Sequence, residues 1–210
     1  MISPIDVTPA EVDASAYLEE ILGDLVARRQ DGGIGEGPLR TVELIGPHLR
    51  LAGTIGTGYF RRLSDYINNQ DGLFRVRDAT VLRRNGDATR VSMPDVWIAP
   101  GEVTLIAQPE DDRPAGAGPE FAIAKVAVGM IVVTPGHTLT GHVYIPRDAQ
   151  LPVFIESGDP RFIPMTDVRT RSLADRRVIA RYPFALLNRR HIVAASPLPD
   201  DLHPTGRHVL

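Results

Sequence analysis

Apolar positions along this chain follow two different periods. Between Thr8 and about Arg29, Ala16, Leu18, Ile21, Leu22 and Leu25 form a one-sided stripe at helical spacing, with Glu19, Glu20, Asp24, Arg28 and Arg29 mostly opposite. Thr8 can cap free N–H groups, Pro9 brings a preset φ to the first turn, and Glu11 lies near the positive end of the helix dipole. The pattern predicts an amphipathic α-helix, and Asp31-Gly-Gly-Ile-Gly-Glu-Gly-Pro38 after it reads as a flexible connection. From Arg40 the period shortens. Val42, Leu44, Leu49, Leu51 and Ile55 alternate or nearly alternate around Gly46-Pro47-His48, which predicts two antiparallel strands joined by a tight turn.

The same plan returns downstream. Residues 130–133, the turn Thr134-Pro135-Gly136 and residues 139–145 predict a second hairpin, with Pro135 preset for a turn and Gly136 free to take positive φ. Residues 63–68 and 153–156 are expected to be short strands, and 74–82 and 162–169 longer ones. Asn85-Gly86 suits the two positive φ angles of a type I′ hairpin. Each half ends in a β-rich run, 91–107 and 178–195, broken at Ala99-Pro100-Gly101 and Asn188-Arg189-Arg190.

Aligned on these landmarks, Val42 to Gln108 and Met130 to Pro197 are two versions of one segment, 67 and 68 residues long. Leu51, Gly53, Leu63, Ile67, Asp71 and Phe74 return 88 positions later as Leu139, Gly141, Leu151, Ile155, Asp159 and Phe162. After one inserted residue, Asp78, Pro94 and Val103 return 89 positions later as Asp167, Pro183 and Ile192. The reading is a mainly β protein built by internal duplication: N-terminal helix and connection (1–39), first β-barrel repeat (40–108), acidic Pro/Gly linker (109–120), second repeat (121–197) and a flexible tail (198–210). A domain of this size buries only about 60% of its unfolded surface, so each repeat should lean on its twin, on the N-terminal segment or on another subunit.

The order of elements resembles the small β-barrels of the Sm-like and SH3-like kind, including bacterial members. The residues that carry the resemblance are Val42-Glu43-Leu44 with 49–53, Leu63-Ser64-Asp65-Tyr66-Ile67-Asn68 (similar to the Sm strand bearing an Asp and an Asn), 74–81 with Asp78, and the strand–turn–strand runs 96–103 and 185–192. The resemblance implies two tandem barrels and, from the Sm branch, RNA as a ligand. Sequence departures weigh against RNA: Asp65 lies 12 residues after Gly53, Val153 and Glu156 replace Asp65 and Asn68 in the second repeat, and neither Ala99-Pro100-Gly101 nor Asn188-Arg189-Arg190 keeps the basic-Gly turn.

Composition narrows the partners. Over 210 residues the formal net charge is −3, which gives no global attraction to nucleic acid or an anionic membrane. Cysteine is absent, excluding disulfides and thiolate chemistry. The first ten residues carry no basic cluster, and no apolar run reaches the roughly 18 residues of a membrane helix, so a cytoplasmic location without membrane insertion is expected.

No catalytic, cofactor or metal motif is found. His48, His137, His142, His191, His203 and His208 fall in no HxH or HExxH spacing, and Ser64, Ser92, Ser157 and Ser172 in no GxSxG context. Glu110-Asp111-Asp112 reads as solvated charge, and Asp71 and Asp159 as turn residues. Gly53-Thr-Ile-Gly-Thr-Gly58 lacks the Walker lysine and better suits a bending strand. Trp97 and Phe184, near the ends of equivalent strands, are expected as core anchors. The remaining signal is arginine with a few neighbours: Arg61, Arg62, Tyr66, Asn68, Arg189 and Arg190 are the candidate partner-binding residues. The leading expectation is a non-enzymatic assembly or adaptor protein that self-associates or docks protein partners, without cofactor. RNA or single-stranded nucleic acid bound through arginine clusters is the alternative, and an enzyme with a site between the barrels is the third reading.

Overall fold

In the computed structural model, the described residues are 37–48, 50–81, 91–109, 125–174 and 178–198; the expected N-terminal helix, the Asn85-Gly86 turn, Glu110-Asp111-Asp112 and the tail histidines lie outside them. Ten antiparallel strands form one sheet in the order β10-β6-β7-β8-β9-β5-β1-β2-β3-β4. They are β1 (Leu39–Ile45), β2 (Arg50–Gly56), β3 (Phe74–Val81), β4 (Val91–Ile98), β5 (Leu105–Gln108), β6 (Lys125–Thr134), β7 (His137–Pro146), β8 (Phe162–Ser172), β9 (Val178–Asn188) and β10 (Ala194–Pro197). The sequence β-β-α-β-β-3₁₀-β runs twice along the chain. Helices α1 (Leu63–Asn68) and α2 (Leu151–Glu156) follow the second strand of each half, and 3₁₀ turns Pro100–Glu102 and Arg189–His191 precede the last.

Two expectations change here. Closure into two barrels is not found: the sheet is open, with β4 and β10 at its ends, because β9, paired with β8 on one side, takes β5 of the other half on its other side and not β10 of its own half. Residues 63–68 and 153–156 are helical, not extended. Leu63 and Ile67 are both buried at a spacing of four, which puts them on one face of a short helix. In a window of six residues that spacing competes with alternation, and the core on one side of α1 decided it.

Curvature has a local cause, placed alike in both halves. Between Ala52 and Thr54 the partners step from Thr80 to Arg77, and between Thr140 and His142 from Arg169 to Thr166, so β3 and β8 each carry one extra residue. Those residues are Asp78 (φ 48°) and Asp167 (φ 53°), the two non-glycine residues with positive φ among those described. Aspartate is one of the few L-residues that visits this region, and such a bulge bends and twists its strand. Gly53 faces the first bulge; a β-carbon there would lie 2.6 Å from Val76 Cγ1 and 2.7 Å from the Arg77 carbonyl oxygen. Gly141 sits likewise, 2.9 Å from the Thr166 carbonyl oxygen.

The core is exchanged across the seam. Val42, Leu44, Leu51, Ile55, Phe74 and Val76 of the first half pack with Phe162 and Leu186 of the second. Reciprocally, Ile45, Leu105 and Ala107 join Met130, Leu139, Val143, Met165 and Leu187. Along β9, Ala185 and Leu187 face their own half while Leu186 enters the neighbour's core, the two-residue alternation of a strand serving both sides.

Candidate functional site

Several polar groups at the seam are hydrogen-bonded across it. Asn188 is 1% exposed; its amide donates to the Pro100 and Val103 carbonyls at 2.9 and 2.8 Å, and its Oδ1 accepts from Arg190 N–H. His191 bridges Thr104 Oγ1 (2.8 Å, from Nδ1) and the Gly101 carbonyl (2.7 Å, from Nε2). Asn68 pairs both ways with the Phe162 backbone, accepting at 2.8 Å and donating at 3.0 Å. Glu43 accepts from Tyr182 Oη–H at 2.8 Å and from Arg50. Burial, and then the Glu43 charge, push the Tyr182 phenol well above its usual range. Burial works against the Arg50 charge, but Glu43 outweighs it and the guanidinium pKa is raised.

The candidate residues divide accordingly. Arg189 is committed to structure: its guanidinium donates to the carbonyls of Phe154, Ile155, Asp159 and Pro160, closing the end of α2 and the turn beyond it, and burial lowers its pKa. Arg161, which sequence reading passed over, does the same for α1 through the Ile67 and Gln70 carbonyls. Arg190 is exposed. Tyr66 is half-buried against the core and meets Phe60 edge-on at 6.1 Å. Trp97 is not a core anchor: it is 50% exposed on β4, with the Arg75 guanidinium 5.8 Å above its ring. Phe184 does pack against the first half's core.

Arg61, Arg62 and Asn68 come together at a cavity of about 740 Å³ at the seam. Its first-half wall is Arg40 from β1, the Arg61-Arg62 turn, α1 and Gln108 at the end of β5; the second half contributes Lys125, Tyr144, Phe154 and Phe184. The turn carrying the arginines is pinned, since Thr57 is fully buried with its hydroxyl 2.8 Å from the Phe60 carbonyl, and Arg40 donates to the Arg61 carbonyl at 3.2 Å. Among the described residues, four cationic side chains line the cavity against one carboxylate, Asp65, in a chain whose net charge is −3. The Ser64 hydroxyl donates to Asp65 Oδ1 at 3.2 Å, and no histidine is among the described residues that line the space. Among the described residues there is no cluster of three metal-ligating side chains, and no helix long and apolar enough to cross a membrane.

Gln108 and Lys125 border this cavity, and no motif in the sequence marks either. Their positions follow from the β5·β9 and β6·β7 registers, which pair residues far apart in the chain. Comparison with known proteins finds no match to a family model, to a curated protein or to a solved structure.

Proposed function

We propose that the protein is a non-enzymatic assembly module in which two Sm-like or SH3-like β units, related by duplication, present matching edges for head-to-tail self-association. The observation that supports this reading is the seam itself. Inside the chain β9 pairs β5, with Leu187 opposite Leu105 and Phe184 opposite Gln108, and sends the fully buried Leu186 into the neighbouring core. The strands at the same places in the other halves, β4 and β10, are the open ends of the sheet. At the 89-residue offset Leu186 corresponds to the half-exposed Trp97, and the buried Thr104 corresponds to Val193, which is 69% exposed. Large apolar groups therefore stand exposed where the internal seam buries their counterparts.

Pairing β4 of one copy with β10 of the next in the internal register would set Ile98 opposite Ala194 and Asp95 opposite Pro197. Such a contact joins two different surfaces, so it closes into a ring or extends as a filament. Open strand edges template this addition unless they are blunted. Pro197 partly blunts β10, because it has no N–H to donate. Sedimentation velocity provides the test. The full chain should sediment as multiples of the 22.9 kDa protomer, and Trp97→Glu should return it to one protomer with unchanged far-UV circular dichroism. A wild-type monomer at tens of micromolar would sink the proposal.

A further inference from the structure

We propose that the seam cavity binds a small organic anion, a carboxylate or phosphate carried on an apolar or aromatic body. Three independent features converge on that chemistry. The first is charge. Arg61, Arg62 and Lys125 line the space, and none of them forms an ion pair among the described residues. Guanidinium groups bind planar oxyanions in a two-pronged geometry, and they do so best where water is partly excluded.

The second feature is an unbonded amide on a buried residue. Gln108 is only 7% exposed and lines the cavity, yet its side chain makes no hydrogen bond among the described residues. Its backbone is held in the β5·β9 ladder opposite Phe184, which fixes the point from which the side chain reaches the cavity. The amide of a buried residue is normally satisfied, and one that lines a cavity without a protein partner can be met by a polar group of an occupant or by water. The third feature is the wall. Tyr144, Phe154 and Phe184 supply aromatic surface on the side contributed by the second half. A volume of about 740 Å³ falls within the range of roughly 300–1,000 Å³ usual for small-molecule sites, which combine apolar walls with a few placed polar groups.

The site lies at the internal seam and not at the outer edges, so it does not depend on self-association, and the monomeric Trp97→Glu protein should bind equally. The probe is 8-anilino-1-naphthalenesulfonate, an anion on an aromatic body, titrated by fluorescence into the folded full-length chain beside its uncharged analogue N-phenyl-1-naphthylamine. The expected result is saturable binding of one probe per chain, weakened by added salt. The double variant Arg61→Ala/Arg62→Ala should weaken the anion about tenfold or more while leaving the neutral analogue nearly unchanged. Both arginines are exposed turn residues, so the variant should keep its fold, checked by circular dichroism. Gln108→Leu should weaken the anionic probe less than the double variant does. Competition by phenyl phosphate and by benzoate separates the two head groups. Unsaturable binding, several probes per chain, or equal anion affinity in the arginine variant overturns the assignment. So does displacement of the probe by single-stranded RNA with a steep salt slope, which would make the cavity part of a nucleic-acid surface.

Discussion

Strands β9 and β4 occupy the same place in the two halves, yet β9 lies in the middle of the sheet and β4 at its end. On β9, Leu186 is fully buried in the other half's core and Asn188 ties down the 3₁₀ turn before β5. On β4 the matching positions are Trp97, half exposed beneath Arg75, and Ala99, which has no side-chain amide to offer. The backbone plan is alike in both, so the side chains carry the difference. One strand is equipped for a permanent seam, while the other keeps a large aromatic in solvent, flanked by the Arg75–Asp95 ion pair. Hydrogen bonding to Arg75 holds the Asp95 carboxyl below its usual range, so that pair weakens on acidification.

The contrast can be broken from the seam side first. Asn188→Ala removes the side-chain donor to the buried Val103 carbonyl and one of two donors to the Pro100 carbonyl, which keeps the Val103 N–H at 3.4 Å; an unsatisfied buried group costs roughly 1–3 kcal/mol, so urea unfolding should register a loss of about 3 kcal/mol. Leu186→Ala opens a cavity in the first half's core and should cost about 3 kcal/mol. Trp97→Ala on the equivalent strand should cost less than about 1 kcal/mol in protomer stability, since it removes a half-exposed ring and one cation–π contact. Equal losses at Leu186 and Trp97 would remove the distinction between seam and edge.

A smaller effect compares the two bulges. Gly53→Ala should destabilise by about 2 kcal/mol, because the new β-carbon collides with the Arg77 carbonyl as well as with Val76. Gly141→Ala should cost nearer to about 1 kcal/mol: its closest clash is longer, and the Met165 methyl at 3.3 Å can give way. Reversal of that order in thermal unfolding would mean that the second half is the more tightly bent.

The mildest test is pH. Tyr182 is neutral in the folded protein and its pKa is raised, first by burial and then by Glu43, so its stabilising contribution is complete below the unfolded value of about 10. As pH rises beyond that value the unfolded chain releases the proton first, and stability should fall. Urea midpoints at pH 8, 10 and 11 should decline in the wild type and decline less steeply in Tyr182→Phe, whose midpoint starts lower because the Glu43 hydrogen bond is gone. Parallel slopes would mean that Tyr182 is not the group that titrates.

Much of the strand plan was legible because its signals are local. The turns at Gly46-Pro47-His48 and Thr134-Pro135-Gly136 and the breaks before β5 and β10 fall where Gly, Pro and Asn favour them. Residues 63–68 misled because six residues hold both an alternating and a helical pattern, and burial of Leu63 and Ile67 on one side settles the choice. Asp78 and Asp167 recurred visibly, but their use as positive-φ bulges depends on a partner strand one residue shorter. Of the candidate site, Arg61 and Arg62 stood out as a pair. Gln108, Lys125 and Tyr144 did not, since nothing near them in sequence says that they border one space.

The sequence by itself determined that the chain is mainly β and where most strands begin and end, because alternation, glycine, proline and turn aspartate act over a few residues. Only the tertiary structure decided that the strands form one open sheet, that Leu186 serves a core other than its own half's, and that cationic residues from three parts of the chain face one cavity. Those outcomes depend on the register between β5 and β9, whose paired residues stand some 80 positions apart. Contacts at such distances are selected by the packing of whole faces, and no local pattern encodes them.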